Sequence, residues 1–293
     1  MKKHLYYVLF ACLTALALSA CGSDGDDDFI PKKDSGSLKS GMLEVPALKG
    51  GSSILITHMA TLNEKTGARD VNYRVEWDRN KRSQRWTCYK LYKTLLTGSY
   101  SRTADGYPND PDLLPEDQIA NDPYWGTGYD HGHICPNADR KASYESNYQT
   151  FYLTNMQPQY GEKRNNFNGG IWQYMETKVR SWATNKFDTL YVVKGGTIDN
   201  EENIIEYIGS GTSRIPVPRY FFMAVLGRYN NIFRATGYWI NQASFSSLDP
   251  KTYIINIAEL EQRTGIDFFH NLPDDIEAAV ENVSKSQMLN DWY

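Results

Sequence analysis

Residues 129–140 read YDHGHICPNADR, and this stretch concentrates side chains that carry chemistry. It holds two of the five histidines, His131 and His133, with Gly132 between them. Histidine loses its proton near neutral pH and therefore suits a general base, while glycine lets the backbone approach a ligand closely. On a strand the two imidazoles share one face, where they and Asp130 could also bind zinc. A polar turn with incidental histidines is the third interpretation.

Two further motifs follow downstream. Residues 153–159 read LTNMQPQ, and residues 168–176 read NGGIWQYME. At helical pitch Asn168 and Glu176 lie along one side of a helix, beside its apolar stripe. Neutral oxygen ligands near one carboxylate suit a hard cation such as Mg²⁺, which keeps most of its waters. Taken singly, Asn168 is more typical of a helix cap and Glu176 of a solvated helix charge.

Together the three segments resemble the DNA/RNA non-specific endonuclease family, relatives of endonuclease G in the ββα-metal, or His-Me finger, group. The family pattern D-R-G-H-x-x-P corresponds to residues 130–136, N-x-x-P-Q to residues 155–159, and N-x-G-x-W-x-x-L/M-E to residues 168–176. Weaker likenesses in the family's order extend the resemblance over residues 52–275. It implies an α+β fold with a mixed or antiparallel central sheet, flanking helices and a ββα-metal finger.

The resemblance also implies roles, carried over by position. His133 would be the general base that activates water against a phosphodiester, so activity should rise through its pKa towards neutral or mildly alkaline pH. Asn168 would bind Mg²⁺, Mn²⁺ or another divalent ion directly, with Glu176 and Asn155 orienting the metal's water shell or neighbouring groups. Arg102 falls where the family places an arginine beside the phosphate. The implied reaction is hydrolysis of DNA and RNA with little sequence preference, leaving 5′-phosphates.

The sequence departs from the family pattern in two places. His131 stands where the family has arginine, which removes a permanent charge and a forked donor next to Asp130. That role could pass to Arg140 or Arg164, or His131 could act when protonated. The second departure is a longer connection that includes residues 161–166, which adds basic side chains near the expected site.

Two other functions compete with hydrolysis by a Mg²⁺-dependent nuclease. A non-catalytic surface lipoprotein of the same fold could bind nucleic acid or other polyanions, an interpretation motivated by His131 and by the formal net charge of −4. A phosphoesterase could instead hold zinc through Asp130, His131 and His133. The metal that the protein requires distinguishes these three functions, because only the Mg²⁺-dependent nuclease needs Mg²⁺ for cleavage.

The N-terminal residues resemble an export signal. Residues 1–20 combine Lys2 and Lys3 with an apolar stretch of signal-peptide length. Residues 18–21, LSAC, resemble the lipobox of bacterial lipoproteins, in which the cysteine, here Cys21, is lipidated; an ordinary secretory signal is the alternative. We expect a flexible acidic tether over residues 21–51, one domain over residues 52–293, and a lipid-anchored protein of the outer membrane or cell surface that faces the periplasm or the exterior.

The composition supports a packed domain of this size. Hydrophobic residues make up 41% of 293 residues, which excludes a disordered, collagenous or disulfide-scaffold chain. If Cys21 carries lipid, Cys88 and Cys135 remain as a pair in an oxidising compartment. A disulfide between them and two separately buried thiols are equally compatible with the sequence.

Basic residues concentrate between Arg74 and Arg102, where eight lysines and arginines face two acids. Such a patch could bind phosphates without base selectivity, or it could be an ordinary charged hairpin surface. Alternating or continuous apolar runs predict six strands and three helices. The strands are expected at 54–58, 72–77, 86–92, 190–193, 220–226 and 235–240, and the helices at 170–184, 256–265 and 273–283.

Overall fold

A computed structural model describes residues 42–293 of the protein. The expected signal peptide, Cys21 and most of the expected tether lie outside the described residues. None of the helices within residues 42–293 is long and apolar enough to cross a membrane.

The described chain contains eleven strands and five α-helices joined by short 3₁₀ turns. The strands are β1 (Ser53–Asn63), β2 (Ala68–Asp78), β3 (Ser83–Leu91), β4 (Tyr129–His133), β5 (Met156–Tyr160), β6 (Thr189–Gly196), β7 (Ile204–Ile208), β8 (Ile215–Pro218), β9 (Tyr220–Tyr229), β10 (Ile232–Asn241) and β11 (Ile254–Ile255). The helices are α1 (Tyr144–Gln149), α2 (Gln173–Asn185), α3 (Ile257–Thr264), α4 (Asp274–Glu281) and α5 (Lys285–Trp292).

Seven strands form an antiparallel central sheet in the order β1-β2-β3-β6-β9-β10-β11. Two separate antiparallel pairs, β4–β5 and β7–β8, lie outside this sheet. With helices packed against the sheet, the arrangement confirms the expected α+β class with an antiparallel sheet. All six predicted strands overlap strands of the central sheet.

Alternating side chains give the central sheet a hydrophobic core on each face. Tyr73, Val75 and Trp77 of β2 are all fully buried in one core, as their period-two spacing predicts. The second core contains Leu260 of α3 and Val280 of α4. The sheet is therefore buried on both sides, and the first core also takes in β4, β5 and α2.

The predicted helices at 256–265 and 273–283 correspond to α3 and α4. Asn256 caps α3 by accepting a hydrogen bond from the Glu259 N–H at 2.8 Å. Gly265 ends it with a φ of 65°, a left-handed conformation that glycine adopts without strain. The sequence pattern therefore located both ends of this helix.

Cys88 and Cys135 do not form a disulfide, which was one of the two arrangements compatible with the sequence. Cys88 and Cys135 are both buried and both carry free thiols. Cys88 packs in the second core with Trp86, whereas Cys135 packs in the first core with Tyr89. Because side chains alternate across a strand, Cys88 and Tyr89 point to opposite faces of the sheet. The two thiols thus belong to different cores.

Candidate active site

The hairpin of β4 and β5 carries the two candidate histidines. His131 lies opposite Pro158 and His133 opposite Met156 across the pair. A Cβ atom at Gly132 would lie 2.3 Å from Cδ of Gln159, so only glycine allows this side chain to cross the strand. Gln159 is itself fully buried, and neither of its amide atoms has a hydrogen-bond partner among residues 42–293.

The Asn155 side chain holds the backbone at Cys135, two residues after His133. Its Oδ1 accepts the Cys135 N–H at 2.8 Å, and its Nδ2 donates to the carbonyl oxygens of Cys135 at 2.9 Å and Thr150 at 2.8 Å. The side chain is fully buried, so these bonds occupy it completely. Of the two expected roles for Asn155, orienting neighbouring groups is therefore the one that its contacts support.

His133 is held in its neutral form. Burial and, after it, the positive charge of Arg102 together lower the pKa of this imidazole from 6.5 to about 3. Its Nε2 is buried and has no hydrogen-bond partner in the described part of the chain, while its ring meets Phe151 edge-on at 4.9 Å between centroids. If His133 is the base, this pKa predicts an acidic limb of activity well below neutrality instead of near it.

Arg102 presents an exposed guanidinium beside His133. It forms no ion pair with any acid among residues 42–293, and its Cζ lies 5.8 Å from the Phe151 ring centroid, on the residue that also packs against His133. Its backbone φ of 49° is left-handed, which is uncommon for a residue other than glycine. An unpaired cation near a neutral imidazole is suited to binding a phosphate.

Asp130 fixes the amide of Asn168. Asn168 Nδ2 donates to Asp130 Oδ2 at 3.0 Å, and this contact leaves the carbonyl oxygen Oδ1 as the end available to a metal. The side chain does not cap the helix, because the cap position belongs to Phe167 and no side chain caps there. Asp130 therefore orients the Asn168 amide, and its supporting role in the reaction stays a prediction.

The helix is not regular at Asn168. The expectation that Asn168 and Glu176 lie along one side of a single regular α-helix was therefore wrong. Residues Asn168–Trp172 form a π-helical turn in which Gly170 has a non-helical ψ of −112°, and α2 begins at Gln173. From there the predicted apolar stripe holds, since Met175 and Val179 are buried. Turns of the π type occur often at functional sites.

Glu176 is not the solvated charge that is typical of an isolated helical glutamate. Its Oε1 lies 2.7 Å from Nζ of Lys194, a fully buried lysine of β6. Burial raises the pKa of Glu176, and the charge of Lys194 opposes that rise. The same ammonium lies 4.7 Å from the Trp172 ring centroid and also lowers the pKa of His133. Lys194 therefore links Glu176 electrostatically to the candidate base.

His131 is enclosed by groups that the sequence did not indicate. Its Nε2 lies 2.8 Å from Asp122 Oδ2, and its ring stacks between Tyr107 at 3.6 Å and Tyr124 at 4.0 Å. Burial lowers the pKa of His131, although Asp122 opposes the shift. This shift favours the neutral imidazole, so it does not support His131 as a protonated substitute for the family's arginine.

The zinc alternative finds no support in these contacts. Asp130 binds Asn168, and His131 is paired with Asp122. Within residues 42–293 the metal-ligating side chains converge in one other place, where His58, Asp110 and Asp112 meet. There Nε2 of His58 faces Asp110 at 3.1 Å and Nδ1 faces Asp112 at 3.2 Å, so the carboxylates lie at different edges of the ring. The ligand atoms of the three residues lie within 4.8 Å of one another, so this cluster, and not the pair of His131 and His133, is where side chains of residues 42–293 could together hold a metal ion.

The expected substitutes for the family's arginine differ in their contacts. Arg140 is buried and donates to the backbone oxygens of Asn72, Lys90 and Asp139, so it is structural and cannot reach a ligand. Arg164 remains a candidate, because its guanidinium stacks on the ring of Tyr129 of β4 at 4.1 Å.

The basic stretch from Arg74 to Arg102 is not an open phosphate-binding patch. Half of its cations are neutralised by distant acids, which the hairpin pattern did not predict. The ion pairs are Arg74–Glu44, Arg79–Asp117, Lys81–Glu201 and Arg85 with both Glu76 and Asp199. Of the positions singled out in this stretch, Arg102 is the one placed beside the candidate base.

Comparison with known proteins gives a family match and several similar nucleases. The family model described as DNA/RNA non-specific endonuclease matches residues 51–275. The mitochondrial nuclease EXOG of Xenopus laevis is 28% identical over 214 residues, covering 70% of this chain and 58% of that protein. Nuclease C1 of Cunninghamella echinulata var. echinulata is 29% identical over 211 residues, covering 69% of this chain and 81% of that protein.

A solved structure shares the fold. A chain in the crystal structure of the EndoG/EndoGI complex superposes with a TM-score of 0.60 at 23% identity, covering 69% of this chain and 84% of that one. This chain spans less than two thirds of the length of the EXOG relatives from Xenopus laevis and Homo sapiens, at 58% and 56%. From the match over residues 51–275, the chain belongs to the DNA/RNA non-specific endonuclease family.

Proposed function

We propose that this protein is a divalent-metal-dependent endonuclease that hydrolyses phosphodiester bonds in DNA and RNA. The observation that carries the proposal is the state of His133. Its imidazole is neutral far below physiological pH, and its buried Nε2 is unpartnered within the described chain. A general base needs a vacant nitrogen in this protonation state.

The surrounding residues suit a phosphodiester and water. Arg102 supplies an exposed, unpaired guanidinium that can bind the phosphate and the charge that grows on it. His133 would take one proton from the attacking water as its oxygen bonds to phosphorus. The bond from phosphorus to the 3′ oxygen would break, the leaving oxygen would take a proton from solvent water, and the product would carry a 5′-phosphate. Glu176, held by Lys194, would orient the hydration of the site.

The donor set fits Mg²⁺ or Mn²⁺ better than zinc. Asn168 offers a neutral amide oxygen whose orientation Asp130 fixes. Hard cations that keep several waters accept such a site, whereas zinc prefers several imidazole or thiolate ligands. The ion, when bound through Asn168, would stabilise charge on the phosphate and the leaving oxygen.

A metal add-back assay tests the proposal. The protein is treated with EDTA, and plasmid DNA and total RNA are then incubated with Mg²⁺, Mn²⁺ or Zn²⁺. We expect both substrates to be degraded with Mg²⁺ or Mn²⁺, and Asn168→Ala to require more metal for half-maximal rate. Tight metal-free binding without cleavage would favour the non-catalytic polyanion-binding lipoprotein instead.

We also propose that Cys21 carries lipid and anchors the mature protein to the cell envelope. Support comes from the sequence alone, namely the lipobox-like residues 18–21 after an apolar stretch. Metabolic labelling with a fatty acid should mark the protein and fail to mark Cys21→Ser. Equal labelling of both proteins, or of neither, would contradict the anchor.

A further inference from the structure

Trp125 stands out on the surface of the described chain. Its side chain is 83% exposed, and the next most exposed large hydrophobic residue, Leu248, reaches 58%. It makes no aromatic or cation–π contact with other residues in the range 42–293. A large aromatic ring left in water at a defined position is typical of a surface that binds a partner.

The turn that presents Trp125 is well defined. The Thr127 N–H and hydroxyl both donate to the Tyr124 carbonyl oxygen, at 3.1 and 2.6 Å. Gly126 follows Trp125 with a φ of 76°, close to the value of about +80° that the third residue of a type II turn requires. Trp125 therefore occupies the apex of a short, hydrogen-bonded turn.

The same turn is fixed to the candidate active site. Tyr124, next to Trp125, is buried and stacks on the His131 ring at 4.0 Å between centroids. Asp122 bonds to the same imidazole and also accepts the Tyr124 N–H at 3.0 Å. His131 is two residues from His133 on β4, so the turn that carries the exposed indole is joined to the strand that carries the candidate base.

A cation accompanies the indole. Nη2 of Arg164 lies 3.5 Å from the Thr127 carbonyl oxygen at the base of the turn. Its side chain is one-third exposed, rests on the rings of Tyr129 and Tyr160 at 4.1 and 4.6 Å, and lies 3.9 Å from Oε1 of Glu206, a contact at the limit of an ion pair that a phosphate would have to compete with. An aromatic face beside a positive charge is the pairing that recognises a base and its phosphate in single-stranded nucleic acid.

We infer that Trp125 stacks on an unpaired base of the substrate while Arg164 contacts a neighbouring phosphate, an inference that rests on the proposed nuclease function. In a duplex each base already stacks on its neighbours, so its face is not available to the indole. The contact therefore strengthens binding to single strands and to unpaired segments, with little dependence on base identity.

The test measures binding without cleavage. The purified protein in EDTA is titrated into a fluorescein-labelled single strand of about 12 nucleotides, and separately into its duplex, by fluorescence anisotropy at one fixed salt concentration. Trp125→Ala should raise the Kd for the single strand about tenfold, the effect of one lost base–aromatic stack. The Kd for the duplex should change less than about twofold.

Two variants control the measurement. Trp125→Phe keeps an aromatic face and should restore most of the single-strand affinity. Tyr229→Ala removes another exposed aromatic ring, on the β9–β10 hairpin, and should leave both Kd values unchanged. Anisotropy with the unmutated protein and cleavage in Mg²⁺ provide the baseline for both.

Three outcomes would overturn the inference. The first is a single-strand Kd for Trp125→Ala within twofold of the unmutated value in a protein that cleaves nucleic acid, which refutes stacking and leaves the nuclease proposal intact. The second is absence of both cleavage and binding in the unmutated protein, which refutes both proposals. The third is loss of binding to phosphatidylglycerol–phosphatidylethanolamine vesicles in Trp125→Ala with unchanged oligonucleotide affinity, which would make the indole a membrane contact.

Discussion

Replacing Lys194 by methionine should destabilise the fold in a pH-dependent way. The Lys194 side chain is 1% exposed and that of its partner Glu176 is 13% exposed, so the substitution leaves a carboxylate buried without its cation. Removing one partner of a buried pair costs about 3 kcal/mol or more. For a domain of this size each kcal/mol lowers Tm by about 2–4 °C, which predicts a fall of about 6–12 °C near pH 8.

The stability lost in Lys194→Met should be smaller at acidic pH. Burial already raises the pKa of Glu176, and loss of Lys194 removes the charge that opposes this shift. A carboxyl whose pKa is raised on folding binds its proton more tightly in the folded state, so stability is lost as pH rises above the unfolded pKa. At pH 5 a larger fraction of Glu176 is protonated in the folded variant than at pH 8, so the stability difference from the unmutated protein should be smaller at pH 5.

Thermal and denaturant unfolding at both pH values measure these differences. The double variant Lys194→Met with Glu176→Gln removes the orphaned charge and should recover part of the lost stability. Lys49→Met is the matched control, because Lys49 pairs with Asp199 at the same 2.7 Å but is 47% exposed, and it should cost at most about 1 kcal/mol. An equal loss at pH 5 and pH 8, or no recovery in the double variant, would refute the reasoning.

Substitutions at three further residues of the site give testable predictions. Arg102→Met should raise the pKa of His133, because the lost charge lowers it, while burial keeps it below 6.5; a rate–pH acid limb that stays fixed or moves down would contradict this. The same variant should lose about 100-fold in rate if the guanidinium binds the transition state. Asn155→Ala removes three buried hydrogen bonds and should lower the unfolding free energy by about 3 kcal/mol, and a loss within about 0.5 kcal/mol in urea would disagree. Asp122→Asn should lower the pKa of His131 further, as read by NMR titration of the ring, and an upward shift would show that Asp122 does not stabilise the imidazolium.

Much of the fold could be predicted because the sequence patterns that indicate it are local. Strand alternation around Tyr73 and Trp77 predicted β2, and the Asn256 cap with Gly265 predicted both ends of α3. The pair β4–β5 was not predicted as strands, since Gly132 and Pro158 weaken the usual strand pattern.

The motifs located the site, but its partners depend on long-range packing. Lys194 follows the apolar residues of β6, and a lysine at this position indicates a buried charge. No local pattern identifies Glu176 as its partner. Likewise, Asp122 reaches His131 only because the loop turns at Trp125. Charge counting failed between Arg74 and Arg102 for the same reason, since the neutralising acids are distant in sequence.

The most direct test of the central claim is the nuclease activity of His133→Ala. Plasmid DNA and RNA are incubated with EDTA-treated protein and added Mg²⁺, with His270→Ala as control because that histidine is exposed on the far C-terminal segment. We expect metal-dependent degradation of both substrates by the unmutated and His270→Ala proteins, and a loss of at least about 100-fold in His133→Ala. Full activity of a folded His133→Ala protein would contradict the assignment of His133 as the base.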